Sequence, residues 1–275
     1  MKNLIIRTVT GAVYVALIVA AVFFPPVLFL LFLAFALIGV YEYSRMTSSV
    51  GDKTTIIYWM VCAALLLMSL LLYPPFAYVP FALQIAVISL TTLSCVSLPI
   101  FELFRKNEHP LENIANGSLA LIWIVLPLGL LGHTVLENSP SYVVLAFFIL
   151  LWSADTFAFI GGSVLGKHKL CERISPGKTW EGFVVGLIFT VAIAVGLSKI
   201  PVFGVLGFNT LQWIVFALLI DIFGTCGDLL ESMFKRRAGL KDSGKILPGH
   251  GGILDRLDSA LLAAFPAIIF YYLVA

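Results

Sequence analysis

The chain has 275 residues, of which 60% are apolar and only 12% charged, with a net charge of +2 and a mean hydropathy of +1.04. An ordinary soluble domain carries about a quarter charged residues, so a fold with a single water-facing surface is excluded and the solvent has to be lipid. The four cysteines, Cys62, Cys95, Cys171 and Cys226, show no C-x-x-C spacing, which argues against a zinc knuckle or a redox pair.

Nine stretches reach the roughly 20 apolar residues that a bilayer core demands. The first is Leu4–Phe24, and the start of the chain, Lys2 to Arg7 followed by an apolar run, looks like that of a signal peptide. It runs into Phe24-Pro25-Pro26 with no small-x-small cleavage site, so an uncleaved first helix is expected. Val27–Tyr43, Ile56–Tyr73, Val79–Phe101 and Ile114–Leu136 follow, then Tyr142–Leu165, Phe183–Ile200, Leu211–Phe234 and Leu257–Leu273. Short connections carry turn residues, such as Pro74-Pro75 and Asn138-Ser139-Pro140. There is no internal repeat and no soluble domain. The expected fold is all-α, a polytopic membrane bundle of about nine helices forming a single integral domain over 1–275.

Basic residues fix the expected orientation. Of the 17 lysines and arginines, only Lys199 falls on the side opposite the rest when nine spans are counted. The positive-inside rule then places the amino terminus and the four even-numbered loops in the cytoplasm, and the carboxyl terminus outside. Miscounting by one span would scatter the charges over both faces.

Two of the cytoplasmic loops are too polar to be plain connectors. Residues 166–182 and 235–258 are rich in glycine, lysine and arginine. Such segments let backbone N–H groups and cations approach oxyanions closely, although a solvated loop obeying positive-inside looks the same. Acids inside the spans shift the balance. Asp155 falls in the sixth span, and Asp221 and Asp228 in the eighth, with Glu231 a turn further on. Residues seven apart return to nearly the same helix azimuth, so Asp221 and Asp228 share a face. Ionisable groups at such depth usually mark a site or pathway; a structural polar pair between helices, or an acid neutralised by protonation, is the other reading and weighs more for Asp155 and Asp221 than for Asp228.

Asp255 and Asp258 stand where the second polar loop enters the ninth span, one helical turn apart. Capping of the helix start would explain one of them. Acids from the eighth and ninth spans, together with many cations, supply the parts for Mg2+-assisted phosphoryl or nucleotidyl transfer. At about 1.5 Å per residue, Asp228 lies on the order of 10 Å below Lys235 along a helix.

The polar residues also carry a resemblance. The run Ser232-Met-Phe-Lys235-Arg236, then Lys241-Asp242-Ser243-Gly244, then Leu247-Pro-Gly-His250-Gly-Gly-Ile-Leu-Asp255-Arg256-Leu257-Asp258, resembles the signature of the phosphatidate cytidylyltransferase family over 232–258. Trp152-Ser-Ala-Asp155, Ser175-Pro-Gly-Lys178-Thr179-Trp-Glu-Gly182 and Gly227-Asp228-Leu-Leu-Glu231-Ser232 are similar to that family as well. The likeness is close over the part from 114 to 275. The first half matches in layout, with Arg7 before the first span and Tyr41-Glu42-Tyr43 closing the second.

What the resemblance implies is a nucleotidyltransferase joining CTP and phosphatidate to give CDP-diacylglycerol and pyrophosphate in phospholipid synthesis. It also implies a multi-pass protein of the bacterial inner membrane, a homodimer, and an active site open to the cytoplasm; no nucleic acid partner is indicated. Asp228, Asp255, Asp258 and Glu231 are the expected Mg2+ ligands, with Asp155 in support, and a second, monovalent cation is left open. Lys235, Arg236, Lys241, Asp242, Ser175, Lys178 and Thr179 are the expected substrate contacts. Lys241, His250 and Arg256 join Asp228 and Asp255 as catalytic candidates; His250 either bonds a phosphate or caps its loop. His168 ranks below it, and His109 and His133 are read as incidental.

Two other readings compete. A membrane CTP-dependent lipid kinase, acting on polyprenol or phytol, would share the acid-and-cation chemistry, but the 232–258 signature argues against it. An ion-coupled transporter would show inverted repeats and broken helices near the midplane; the sequence has no repeat, and its polar loops gather on one face.

Overall fold

The computed structural model describes residues 2–47, 53–72, 80–106, 108–137, 141–247, 249 and 251–274. The described residues are overwhelmingly helical, and the protein is a polytopic helical membrane protein. Among the described residues eight helices are long and apolar enough to cross a bilayer, and Val9–Phe23 of the first helix is a shorter apolar one. The expected turn residues Pro74-Pro75 and Asn138-Ser139-Pro140 lie outside the described residues.

Two compact units are present, one made of 1–139 with 242–255 and the other of 140–241 with 256–275. The first unit contains α1 (Lys2–Phe23), α2 (Pro25–Met46), α3 (Lys53–Leu72) and α4 (Phe81–Phe104), then α5 (Pro110–Ala120) and α6 (Leu126–Glu137). Proline at the first position of α2 suits the missing N–H of a helix start. The fifth expected span is α5 and α6 joined by a π turn at Leu121–Val125. Leu28, Phe32, Trp59, Leu67, Ile124 and Leu128 fill the core of this unit, and Tyr43 meets Trp123 edge to face at 5.9 Å. A cavity of about 340 Å³ opens among α3, α4 and α6, lined by mostly apolar side chains and His133. It contains none of the expected site residues.

The second unit contains α7 (Tyr142–Leu165), a hairpin of β1 (Lys169–Cys171) and β2 (Ser175–Thr179), α8 (Trp180–Leu197), a 3-10 turn (Pro201–Leu206) and α9 (Thr210–Arg237). The final helix, α10 (Leu254–Val274), begins in the first unit and continues through the second. Residues 166–182, expected as a polar cytoplasmic loop without strands, hold a small antiparallel hairpin with Lys169 opposite Thr179 and Cys171 opposite Ser175. Apolar periodicity carries no signal for so short and polar a pair of strands.

Several helix ends also move outward from the apolar runs, because polar caps rather than hydropathy end a helix. Thr179 accepts from the Gly182 N–H and starts α8 three residues before the expected Phe183. Asn209 and Gln212 form a reciprocal capping box at the start of α9. At the other end of α9, Lys235, Arg236 and Arg237 occupy the last turn, where cations suit the helix dipole.

Small residues let α7 and α8 pack face to face. A Cβ at Gly182 would collide with the Ala158 carbonyl oxygen, and one at Gly161 with Val185. In the same unit Phe208 and Phe203 meet Trp213 edge to face, with ring centroids at 5.6 and 6.0 Å.

Candidate functional site

Asp228 sits on α9 with its carboxylate half-buried, and Lys178 of β2 reaches it directly, Nζ to Oδ2 at 2.7 Å. Its other oxygen, Oδ1, accepts from the Ser232 hydroxyl one turn along at 3.2 Å. The hairpin explains why Lys178 can do this: pairing of β2 with β1 and the Thr179 cap hold the strand at the mouth of α8. Glu181 ties the base of the hairpin to α8. It accepts the Lys167 and His168 N–H groups and lies 2.6 Å from His168 Nδ1.

Three further aspartates share the neighbourhood of Asp228. Asp258 of α10 interacts electrostatically with Asp228, Glu231 and Asp155. Close packing of α9 on α10 makes this possible, since a Cβ at Gly227 would meet the Asp258 carbonyl oxygen. Asp155 of α7 is accessible at the surface and feels Lys178, Asp228 and Arg256. Asp221, two turns before Asp228, is 2% exposed. Its Oδ2 has no hydrogen-bond partner, and the charges it feels are those of Asp155 and Lys178. Glu231 is fully buried and pairs with Lys235 at 2.5 Å.

Five acids therefore face three cations, Lys178, Lys235 and Arg256, in this part of the second unit. That surplus of negative charge among apolar helices fits a bound divalent cation, which would offset it with hard-oxygen coordination. Among the described residues no three His, Cys, Asp or Glu side chains already stand at chelating distance from one another. The charge of the donor set fits the metal.

The 242–255 segment belongs to the first unit. Asp255 Oδ2 accepts from the Ser243 N–H and hydroxyl, both at 2.9 Å, and from the Gly252 N–H at 2.8 Å. Gly251 has φ +83°, a backbone only glycine adopts at ease, and its carbonyl accepts the Leu247 N–H at 2.9 Å. Asp255, expected as a metal ligand, thus organises its own loop.

Other expected contacts are placed as follows. Lys241, Asp242 and Arg256 are exposed, and Ser175 is half-buried on β2. Thr179 is buried as the α8 cap. Lys235 is buried against Glu231, and Arg236 donates to the carbonyls of Ile174 and Leu240. His250 lies outside the described residues. Sequence reasoning passed over Glu181 and gave Glu42 no role beyond closing the second span. Both are acids at the end of an apolar run, and that position was the available signal.

A sequence profile described as the cytidylyltransferase family matches residues 5–274. The chain is 38% identical over 154 residues to the phosphatidate cytidylyltransferase of Rickettsia conorii, covering 55% of this chain and 67% of that protein. It is 38% identical over 173 residues to the protein of that name from Staphylococcus saprophyticus (62% of this chain, 64% of that one). With the Staphylococcus aureus protein of the same name it shares 36% identity over 179 residues (64% and 66%). The matched stretches thus span about two thirds of each relative's length.

Proposed function

The chain belongs to the cytidylyltransferase family, and from that premise we propose that it joins CTP to phosphatidate, forming CDP-diacylglycerol and releasing pyrophosphate. The observation that carries this reading is the surplus of acids around the Lys178–Asp228 pair on membrane helices. A phosphate oxygen of phosphatidate attacks the α-phosphorus of CTP, and the bond to the bridging oxygen of pyrophosphate breaks. The nucleophile is already an anion, so no serine, cysteine or histidine has to attack. Catalysis is then positioning and charge neutralisation.

In this proposal Asp228 and Asp258, which share a neighbourhood, would hold Mg2+, which would supply Lewis-acid stabilisation of phosphate charge. Glu231 and Asp255 stay in the ligand set on the strength of the motif, although each also carries a structural bond. Lys178 is poised to exchange its carboxylate partner for a phosphate oxygen. Exposed Lys241 and Arg256 supply further cations for the triphosphate and the lipid headgroup. The family motifs add Ser175, Thr179, Lys235, Arg236 and Asp242 as substrate contacts, and His250 as a catalytic candidate that bonds a phosphate or caps its loop. The distribution of lysine and arginine supports an active site on the cytoplasmic side of a bacterial inner membrane. A homodimer is the proposed assembly.

Product identity tests the reading. Purified full chain in phosphatidate-containing proteoliposomes, given Mg2+ and α-32P-labelled CTP, is expected to place the label in CDP-diacylglycerol. No CDP-lipid from a correctly inserted protein, or γ-phosphate transfer to a polyprenol instead, contradicts it.

A further inference from the structure

We infer that Glu42 is the positioning residue for the 242–254 loop, holding it from within α2; the inference rests on the reaction proposed above for its effect on turnover. Glu42 lies in the last two turns of α2 and is 1% exposed. A carboxylate buried among apolar helices is costly unless its lone pairs find donors. Its donors come from a segment more than 200 residues further along the chain. Oε1 accepts the Ile253 N–H at 3.2 Å, while Oε2 accepts the Leu254 N–H at 2.9 Å and the Ser243 hydroxyl at 3.1 Å.

Leu254 is the first residue of α10, so a side chain of α2 satisfies an N–H that a helix start leaves without an internal partner. Two glycines make room for the carboxylate: a Cβ at either Gly244 or Gly252 would collide with it. Ser243 then links this anchor to a second acid. Its hydroxyl stands between Glu42 Oε2 and Asp255 Oδ2, and its N–H donates to Asp255 as well. A leucine at position 42 would serve for packing alone. Three donors gathered on one buried carboxylate instead specify where the loop runs between Asp242 and Asp255, two residues of the expected site.

The test uses the full chain in proteoliposomes with CTP and phosphatidate, alongside backbone hydrogen exchange read by mass spectrometry. For Glu42→Ala, exchange over 242–254 is expected to rise about tenfold, as for a segment that has lost its local anchor. Its kcat is expected to fall about tenfold or more with KM for CTP within about threefold, the split of a mispositioned rather than an unbound site. Glu42→Asp keeps the charge on a shorter stem and is expected to recover part of both losses.

Wild-type exchange over 242–254 in Glu42→Ala overturns the inference, and so does wild-type kcat alongside faster exchange. Should Glu42→Ala fail to fold, Glu42→Asp and Ser243→Ala carry the test; wild-type values for both in both readouts overturn it. A wild-type protein that makes no CDP-lipid defeats the proposed reaction separately, and the exchange arm still decides whether Glu42 anchors the loop.

Discussion

An aspartate near the centre of a membrane helix costs roughly 2.5–3.5 kcal/mol on insertion scales, and Asp228 offsets that cost through Lys178 at 2.7 Å. The pair is only partly buried, with about a quarter of each side chain exposed, so Lys178 can change partner without leaving a dry charge behind. Lys178→Met is expected to lower kcat/KM for CTP by about ten- to a hundredfold, in the range seen for lost cationic stabilisation of phosphoryl groups. Turnover of labelled CTP over a concentration series checks this, and an unchanged kcat/KM would remove Lys178 from the site.

The acids themselves were legible in the sequence, because charge inside an apolar run is conspicuous whatever the fold. Their partners were not. Lys178 lies 50 positions from Asp228, and only the hairpin brings it there. The Glu231–Lys235 pair sits at i, i+4 and could have been read from spacing alone.

Elements position the site through close backbone approach. Gly182 lets α8 lie against the Ala158 carbonyl of α7, a neighbour that cannot swing aside as a side chain would. Gly182→Ala is therefore expected to destabilise the protein by about 1–3 kcal/mol, the usual cost of overpacking, and to lower the melting temperature in detergent. Gly177→Ala, where a Cβ meets nothing within 4 Å, is expected to leave that temperature unchanged. Equal melting temperatures for the two variants would argue against the tight α7–α8 contact. Glu181→Ala is expected to loosen the hairpin by removing the acceptor for the Lys167 and His168 N–H groups. Faster hydrogen exchange at 167–171, with α8 still protected, is the check. The helices were read from hydropathy with their order intact, whereas their ends were displaced by caps such as Thr179 and Asn209. The hairpin at 169–179 went unread because strands of three and five residues are too short to show an alternating apolar pattern.

At the scale of the whole molecule, lipid solvent sets the architecture, and charge sets the expected orientation. Hydropathy revealed the membrane-crossing helices because each must satisfy its backbone internally. It did not reveal that residues 242–255 fold with the first half of the chain. Within that unit Glu42 accepts from Ser243, Ile253 and Leu254, residues that no local pattern relates to it. The positive-inside distribution sets a clear expectation: a cysteine introduced at Lys241, in a background without the four native cysteines, reacts with an impermeant thiol reagent from the cytoplasmic face, and one at Lys199 from the other face. Reversed labelling would place the proposed site on the wrong side for CTP.

The most direct measurement is the Mg2+ dependence of CDP-diacylglycerol formation by wild-type protein and Asp228→Asn in the same proteoliposomes. Wild-type activity is expected to vanish with chelator and return with Mg2+, while Asp228→Asn stays at least about a hundredfold lower at every Mg2+ concentration. Near wild-type turnover by a correctly inserted Asp228→Asn, or full wild-type activity without any divalent cation, would contradict a catalytic role for the acid cluster of α7, α9 and α10.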